Sequence, residues 1–169
     1  ASMDITGLIG QYAHGNEPSH HTTYMYAYSG EHYKIADKVR YINNELYTDQ
    51  PDGLSGNEDC GQMSAWYILS SMGFYPVNPS NGAYVFGSPL FDEVVLDIPG
   101  QKQFKISAKN NSDKNIYIQS VSLNGEDHKY SYITHKEILK GGELEFTMGP
   151  KPNKDFGKEK KYRPESIVY

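Results

Sequence analysis

The chain has 169 residues, enough to bury a core in one domain or two small ones, and its formal net charge is -5 with a pI near 5.6. This charge argues against a nucleic-acid binder, because neutralising phosphates needs clustered Lys and Arg. The single cysteine, Cys60, excludes an internal disulfide and a thiolate metal site. No apolar run approaches the roughly 18 residues that a membrane helix needs, so we predict no membrane span.

The charge is uneven along the chain. Residues 1–60 contain nine Asp and Glu but only three Lys and Arg. An acidic surface of this kind suits a cation site or a polyhydroxyl ligand, although an ordinary solvated surface explains it about equally well. The 15 tyrosines allow the same two interpretations, since tyrosine suits sugar-binding clefts but also fills half-buried positions.

The first half of the chain has helical periodicity. A short helix is predicted after Pro18-Ser19, over 20–28 and ending at Gly30, and a second over 29–47, with Ser29 as its N-cap. A third helix is predicted over 60–72, closed by Gly73. The second helix has an apolar stripe that must be buried against another element: Ile35, Val39, Ile42 and Leu46.

Beyond Pro76 the period falls to two, which predicts short strands separated by turns. A phase slip within 116–123 indicates a β-bulge. The basic segment after Gly149 is predicted to be a loosely ordered extension. The predicted fold is therefore α+β, with a helical part (1–76), an antiparallel sheet or partial sandwich (77–149) and a basic tail (150–169). The predicted strands are 83–86, 94–98, 104–108, 116–123 and 144–148.

Two polar loops precede predicted helices, and the loop over 53–62 has the denser pattern. Three glycines surround Asn57, Glu58 and Asp59 there, which suggests backbone close to a ligand. A carboxylate at a helix N-terminus stays ionised, so Asp59 could act as a general base or hold a cation. The alternative is structural, because Asp59 and Gln62 have the spacing of a capping pair.

The other loop, over 15–21, offers oxygen and imidazole groups. Asn16 and Glu17 supply oxygen ligands of the kind that calcium prefers, without an EF-hand spacing. His20 and His21 are adjacent and point to different faces of a helix, so a shared zinc ion is not expected. Each histidine could equally be a buried, satisfied side chain or a hydrogen-bonding contact to a sugar.

Both loops, together with the segments Gly73-Phe74-Tyr75-Pro76 and Gly87-Ser88-Pro89-Leu90-Phe91, closely resemble the end of glycoside hydrolase family 92. The resemblance is specific from Gly15 to Phe91 and looser up to Gly149. Members of this family are exo-acting α-mannosidases, mostly from glycan-degrading bacteria. The resemblance implies a calcium-dependent, inverting mechanism and an (α/α)6 barrel whose final helices lie in residues 1–76.

The resemblance also implies roles for individual residues. Asp59 matches the family's general base, and Asn57 stands where many relatives carry a second acidic residue, which leaves its catalytic role open. Asn16 and Glu17 match the loop at the sugar and calcium site, and the substrate-binding candidates are Glu17, His20, His21 and Glu58. The implied partners are a mannose-containing glycan and the upstream part of the same polypeptide.

The family's general acid is a glutamate that nothing in this chain matches. We therefore expect a C-terminal fragment that is inactive alone, from an enzyme exported to the periplasm or the extracellular space of a bacterium. The competing interpretation is a carbohydrate-binding module without catalysis, which would bind mannose without upstream sequence and would tolerate loss of the Asp59 carboxylate.

Overall fold

A computed structural model describes residues 5–166 of the chain. Its fold is α+β, as predicted, with the longer helices in the first half and most strands in the second. The helices are α1 (Tyr26–Ser29), α2 (Ile35–Glu45), α3 (Gln62–Met72) and α4 (His135–Leu139). None of the helices between residues 5 and 166 is both long enough and apolar enough to cross a membrane.

The strands form a hairpin and two larger sheets. In chain order they are β1 (Leu8–Ile9), β2 (Tyr12–Ala13), β3 (Phe74–Asn78), β4 (Ala83–Phe86), β5 (Glu93–Ile98), β6 (Lys102–Lys109), β7 (Tyr117–Leu123), β8 (Glu126–Asp127), β9 (Tyr132–Thr134) and β10 (Gly142–Gly149). β1 pairs with β2, the three-stranded sheet has the order β3-β4-β9, and the five-stranded sheet has the order β5-β6-β10-β7-β8. The predicted boundary after residue 76 falls inside β3.

The large sheet is mixed, whereas the sequence predicted an antiparallel one. β10 runs parallel to β6 and antiparallel to β7. The chain leaves this sheet after β8 to add β9 to the smaller sheet, and it then returns through α4 to place β10 between β6 and β7. The predicted bulge is confirmed, because Thr147 and Met148 pair with Ser120 and Ile118, which leaves one extra residue in β7.

The predicted helix ends are only partly correct. α3 ends at Gly73, whose φ of 110° is left-handed, and α1 ends at Gly30, with a φ of 81°. Ser29 is the last residue of α1 and does not cap α2, so the predicted N-cap is wrong. Gly30 stops the first helix, and a separate 3-10 turn, His32–Lys34, leads into α2. The segment before α1 forms two more 3-10 turns, Glu17–Ser19 and Thr22–Tyr24.

Two clusters of buried hydrophobic residues hold the described part of the chain together. In the first, the apolar stripe of α2 packs against Tyr24, Trp66 and Val85. In the second, alternating residues of β6 and β10 face Met72, Phe74 and Phe86. Because α3 contributes Trp66 to one cluster and Met72 to the other, it joins the helical half to the sheets. The packing of α3 in both clusters anchors the end of the loop that precedes this helix.

The basic segment after Gly149 is ordered as far as residue 166, against the prediction; the last three residues lie outside the described range. Phe156 is buried and packs its ring edge to face on His32, with centroids 4.9 Å apart. Asn153 donates a hydrogen bond of 2.7 Å to the carbonyl oxygen of Gln119, and the carbonyl of Tyr162 accepts one of 2.9 Å from the Ser131 backbone N–H. One aromatic anchor and these bonds offset the entropy of ordering a polar segment.

His32 should make the stability of the chain sensitive to acid. Its ring is buried, its Nε2 donates to the Phe86 carbonyl oxygen at 2.9 Å, and burial lowers its pKa to about 4. In the unfolded chain this histidine takes up a proton near pH 6.5, so the stability it confers is complete above that pH and is lost as the pH falls toward 4. Between pH 7 and pH 5 we expect His32 to account for a loss on the order of 2 kcal/mol.

Urea unfolding of the wild type and a His32→Gln variant at both pH values measures this contribution. The variant should be less stable at pH 7, but it should lose on the order of 2 kcal/mol less on going to pH 5. Equal losses in the two proteins would show that the His32 ring is not held neutral by the fold.

Candidate active site

The loop before α3 has an unusual backbone. Asp59 and Cys60 have φ angles of 51° and 57°, and Gly61, which precedes the first residue of α3, has a φ of 99°. A left-handed conformation costs roughly 1–2 kcal/mol at each non-glycine residue, so the surrounding contacts must impose it. This backbone exposes both Asp59 and Cys60 to solvent.

Glu58, rather than Asp59, caps the N-terminus of α3. Its carboxylate accepts hydrogen bonds from the backbone N–H of Gly61 at 2.5 Å, and from the hydroxyl and backbone N–H of Ser64 at 2.7 and 3.3 Å. These bonds, the one from the Ser64 hydroxyl first, lower the pKa of Glu58. The predicted side-chain capping by Asp59 and Gln62 does not form, and Gln62 instead donates its backbone N–H to the Asp59 carbonyl oxygen at 3.2 Å.

The Asp59 side chain, free of capping, meets Glu17 from the other loop. The two carboxyl groups are within hydrogen-bonding reach, and this contact, followed by desolvation and the charges of Glu17 and Glu58, raises the pKa of Asp59. Oε1 of Glu17 is buried and has no hydrogen-bond partner among residues 5–166. The fold therefore brings together two acidic residues that the sequence placed in separate loops.

The backbones of the two loops are in direct contact. A Cβ added to Gly15 would lie 2.5 Å from the Ser55 carbonyl oxygen, which only glycine avoids. Gly15 also donates its N–H to the Thr6 carbonyl oxygen at 3.1 Å, and the Ser19 hydroxyl donates to the carbonyl oxygens of Ala13 and Asn16, each at 2.7 Å. Close packing through glycine, supported by these bonds, places Glu17 beside Asp59.

The remaining predicted site residues divide by exposure. Asn16, Asn57 and His21 are exposed, so their side chains are available to a ligand. His20 is only 1% exposed, and it lies beneath the loop rather than at its surface. His20 is therefore poorly placed for direct sugar contact in this structure, while its hydrogen bonds connect the two loops.

A buried cluster of histidines and aromatic residues lies under both loops, although no motif in the sequence indicated it. The His14 ring nitrogens bond the hydroxyls of Tyr12 and Tyr47, both at 2.7 Å, and burial followed by the charge of His20 lowers the pKa of His14 to about 3. The His14 and His20 rings stack with centroids 4.7 Å apart, and Trp66 packs on His14. The abundance of tyrosine in this half was the only sequence signal for the cluster.

The donor groups can be compared with the needs of a hard cation. Calcium takes six to eight oxygen ligands. Asn16 offers an exposed amide oxygen, and Glu17 a carboxylate with one unpartnered oxygen. Within residues 5–166 there is no group of three or more His, Cys, Asp or Glu arranged to hold a metal ion. Asn16 and Glu17 alone therefore offer only a partial set of the ligands that calcium takes, and water, a sugar or other groups would have to supply the rest.

Known proteins share sequence and fold with this chain. Residues 1–150 match the sequence profile of the glycosyl hydrolase family 92 catalytic domain. The chain belongs to glycosyl hydrolase family 92. Among curated proteins, an uncharacterized secreted glycosidase of Arthroderma benhamiae is 33% identical over 138 residues, which are 80% of this chain and 18% of that protein.

Solved structures of family 92 members share the fold. The α-mannosidase BT3965 from Bacteroides thetaiotaomicron, in complex with mannoimidazole, superposes with a TM-score of 0.94 at 42% identity, over 99% of this chain and 22% of that chain. The inverting mannosidase BT2199 of the same organism has a TM-score of 0.87 at 43% identity, over 93% of this chain and 21% of that one. The chain thus spans about a fifth of the length of these family 92 proteins.

Proposed function

We propose that this chain is the part of an inverting exo-α-mannosidase that carries the general base, Asp59. The observation that carries the proposal is the position of the Asp59 carboxylate, which is exposed beside Glu17 while Glu58 caps the helix in its place. Family membership supports it, as do the relatives described as an α-mannosidase and as an inverting mannosidase.

Inverting hydrolysis needs two carboxyl groups with different protonation states. One, as the acid, donates a proton to the leaving oxygen, while the other, as a carboxylate, removes a proton from the attacking water. Asp59 suits the second role because its carboxylate is exposed and makes no capping bond to α3, so it is free to accept a proton from the attacking water. The acid belongs to a part of the enzyme outside this chain.

The sugar and metal would be held by the first loop. Asn16 and Glu17 would bind calcium, which would hold hydroxyls of the terminal mannose and reduce the repulsion between neighbouring carboxylates. Glu17, His21 and Glu58 are candidates for sugar contacts, and Asn57 would help to orient the attacking water. The exposed side chains of Asn16, Asn57 and His21 support these roles.

The proposed substrate is a glycan with a terminal α-mannose, of the α-1,2-linked type. Its encounter with the enzyme outside the cell is supported by the secreted description of the A. benhamiae glycosidase.

The intact enzyme should release mannose from α-1,2-mannobiose faster than from α-1,3-mannobiose. Proton NMR of the first product should show β-mannose, because inversion at an α-linkage yields the β-anomer. Release of α-mannose first would show that the mechanism is not inverting.

Calcium removal should abolish this activity reversibly. Treatment of the intact enzyme with EGTA is expected to stop mannose release, and added calcium should restore it, because the cation organises the sugar against the base. An Asn16→Ala variant should need about 10-fold more calcium for half-maximal activity, since one oxygen ligand is lost.

A matched control for this prediction is Asn44→Ala, which removes an exposed amide from α2, far along the chain from the loop. Its calcium requirement should equal that of the wild type. Full activity in EGTA, or equal calcium requirements for Asn16→Ala and Asn44→Ala, would contradict the calcium assignment.

A further inference from the structure

One pair of side chains, His20 and Gln62, bridges the two loops beneath the carboxylates. The side-chain amide of Gln62 donates to Nδ1 of His20 at 3.0 Å, across 42 positions of the chain. Nε2 of His20 lies 2.8 Å from the His14 carbonyl oxygen, which can only accept. The proton of the neutral ring must therefore be on Nε2, so Nδ1 accepts and Gln62 has to present its N–H group.

Each end of this bridge is bonded directly to one of the two acidic residues. The His20 backbone N–H donates to the Glu17 carbonyl oxygen at 3.0 Å, and the Gln62 backbone N–H donates to the Asp59 carbonyl oxygen at 3.2 Å. Three successive hydrogen bonds thus connect Glu17 with Asp59. The length and direction of the central bond set how far apart the two loops can lie.

Other buried contacts hold the bridge itself in place. Trp66 donates its indole N–H to the His20 carbonyl oxygen at 3.0 Å, and the Gln62 amide makes a second bond, of 3.1 Å, to the Tyr75 hydroxyl. Such support is needed because Asp59 stands in a left-handed conformation that its own sequence does not favour.

We infer that His20 and Gln62 are positioning residues, which hold Asp59 and Glu17 in register through a neutral side-chain bridge, and that His20 does not contact the sugar. This inference rests on the proposed mannosidase function for its kinetic consequences. The positioning of the two loops by the bridge does not depend on that function. A displacement of about 1 Å can lower a turnover rate 10²-fold, so a small shift of one loop should affect chemistry more than binding.

The test uses Gln62→Met in the intact enzyme, because methionine keeps the length of the side chain but cannot donate a hydrogen bond. With α-1,2-mannobiose we expect kcat to fall about 10- to 100-fold while KM changes less than about 2-fold. Crystal structures of the wild type and the variant should show a longer separation between the Glu17 and Asp59 carboxylates in the variant.

The control is His32→Gln, a change at another buried histidine that donates to a backbone carbonyl, that of Phe86, away from both loops. It should lower thermal stability and leave kcat unchanged. A Gln62→Met enzyme with wild-type kcat, or with unmoved loops, would overturn the inference, as would a kcat loss no larger than that of a His32→Gln enzyme of equal stability. If the wild type released no mannose, the proposed function would fail, and the two crystal structures alone would decide on the bridge.

Discussion

Replacing Asp59 by asparagine is expected to lower kcat of the proposed mannosidase by about 10²- to 10⁴-fold, the range typical for loss of general acid–base catalysis. KM should change little, because an amide keeps the shape and polarity of the carboxylate but cannot take a proton from water. The helix should be unaffected, since the capping bonds come from Glu58 and not from Asp59. Steady-state rates with α-1,2-mannobiose measure both constants.

Asp52→Asn is the matched control, because Asp52 is an exposed aspartate in the turn before the same loop. It should leave kcat and KM at wild-type values. A fully active Asp59→Asn enzyme would show that Asp59 is not the general base. Structural capping by Asp59 is already excluded as its role by the geometry.

Replacing Arg40 by leucine is expected to destabilise the chain by about 3 kcal/mol, the largest effect we predict outside the site. Arg40 is 5% exposed on α2, and it donates to the Ser88 hydroxyl at 3.0 Å, to the Pro89 carbonyl and to the Asn111 side chain. Leucine fills much of the volume but leaves the buried Pro89 carbonyl without its donor. Thermal unfolding of the chain should show a Tm lower by roughly 6–12 °C.

Lys38→Leu tests whether the expected loss of stability in Arg40→Leu comes from the buried position of Arg40 rather than from the loss of a positive charge. Lys38 lies on the same helix, and its ammonium pairs with exposed Asp37 at 3.3 Å. A surface pair of this kind contributes between 0 and about 1 kcal/mol, so the expected change in Tm is small. A comparable loss in both variants would show that Arg40 does not hold the helical half against the loops after β4.

The longer elements could be predicted because their signals are local. The stripe that begins at Ile35 identified α2, and Gly73 identified the end of α3. Alternation within β6 and β10 gave strands whose buried faces the structure confirms. The assignment of Ser29 as an N-cap failed because Gly30 intervenes, with its left-handed φ, and starts a new turn. Parallel pairing of β6 with β10 has no local signal, since it depends on the path of the chain between them.

The candidate loops were also visible in the sequence, but the role of each residue within them was not. Spacing alone allowed Asp59 to cap α3, and a residue in the left-handed region cannot point its carboxylate as an ordinary N-cap does. Glu58 takes that role from one position earlier. The buried status of His20, which the sequence left open, follows from the stacked His14 and the Trp66 indole.

The sequence by itself determined the family, the α+β class and the identity of the two polar loops, because these follow from residue types at short spacings. Only the tertiary structure decided that Glu17 and Asp59 meet, that Glu58 caps the helix and that His20 reaches Gln62. The physical reason is distance along the chain. Such contacts depend on how two backbones pack at Gly15 and on which ring nitrogen of the buried His20 imidazole carries the proton. Neither is encoded within either loop alone.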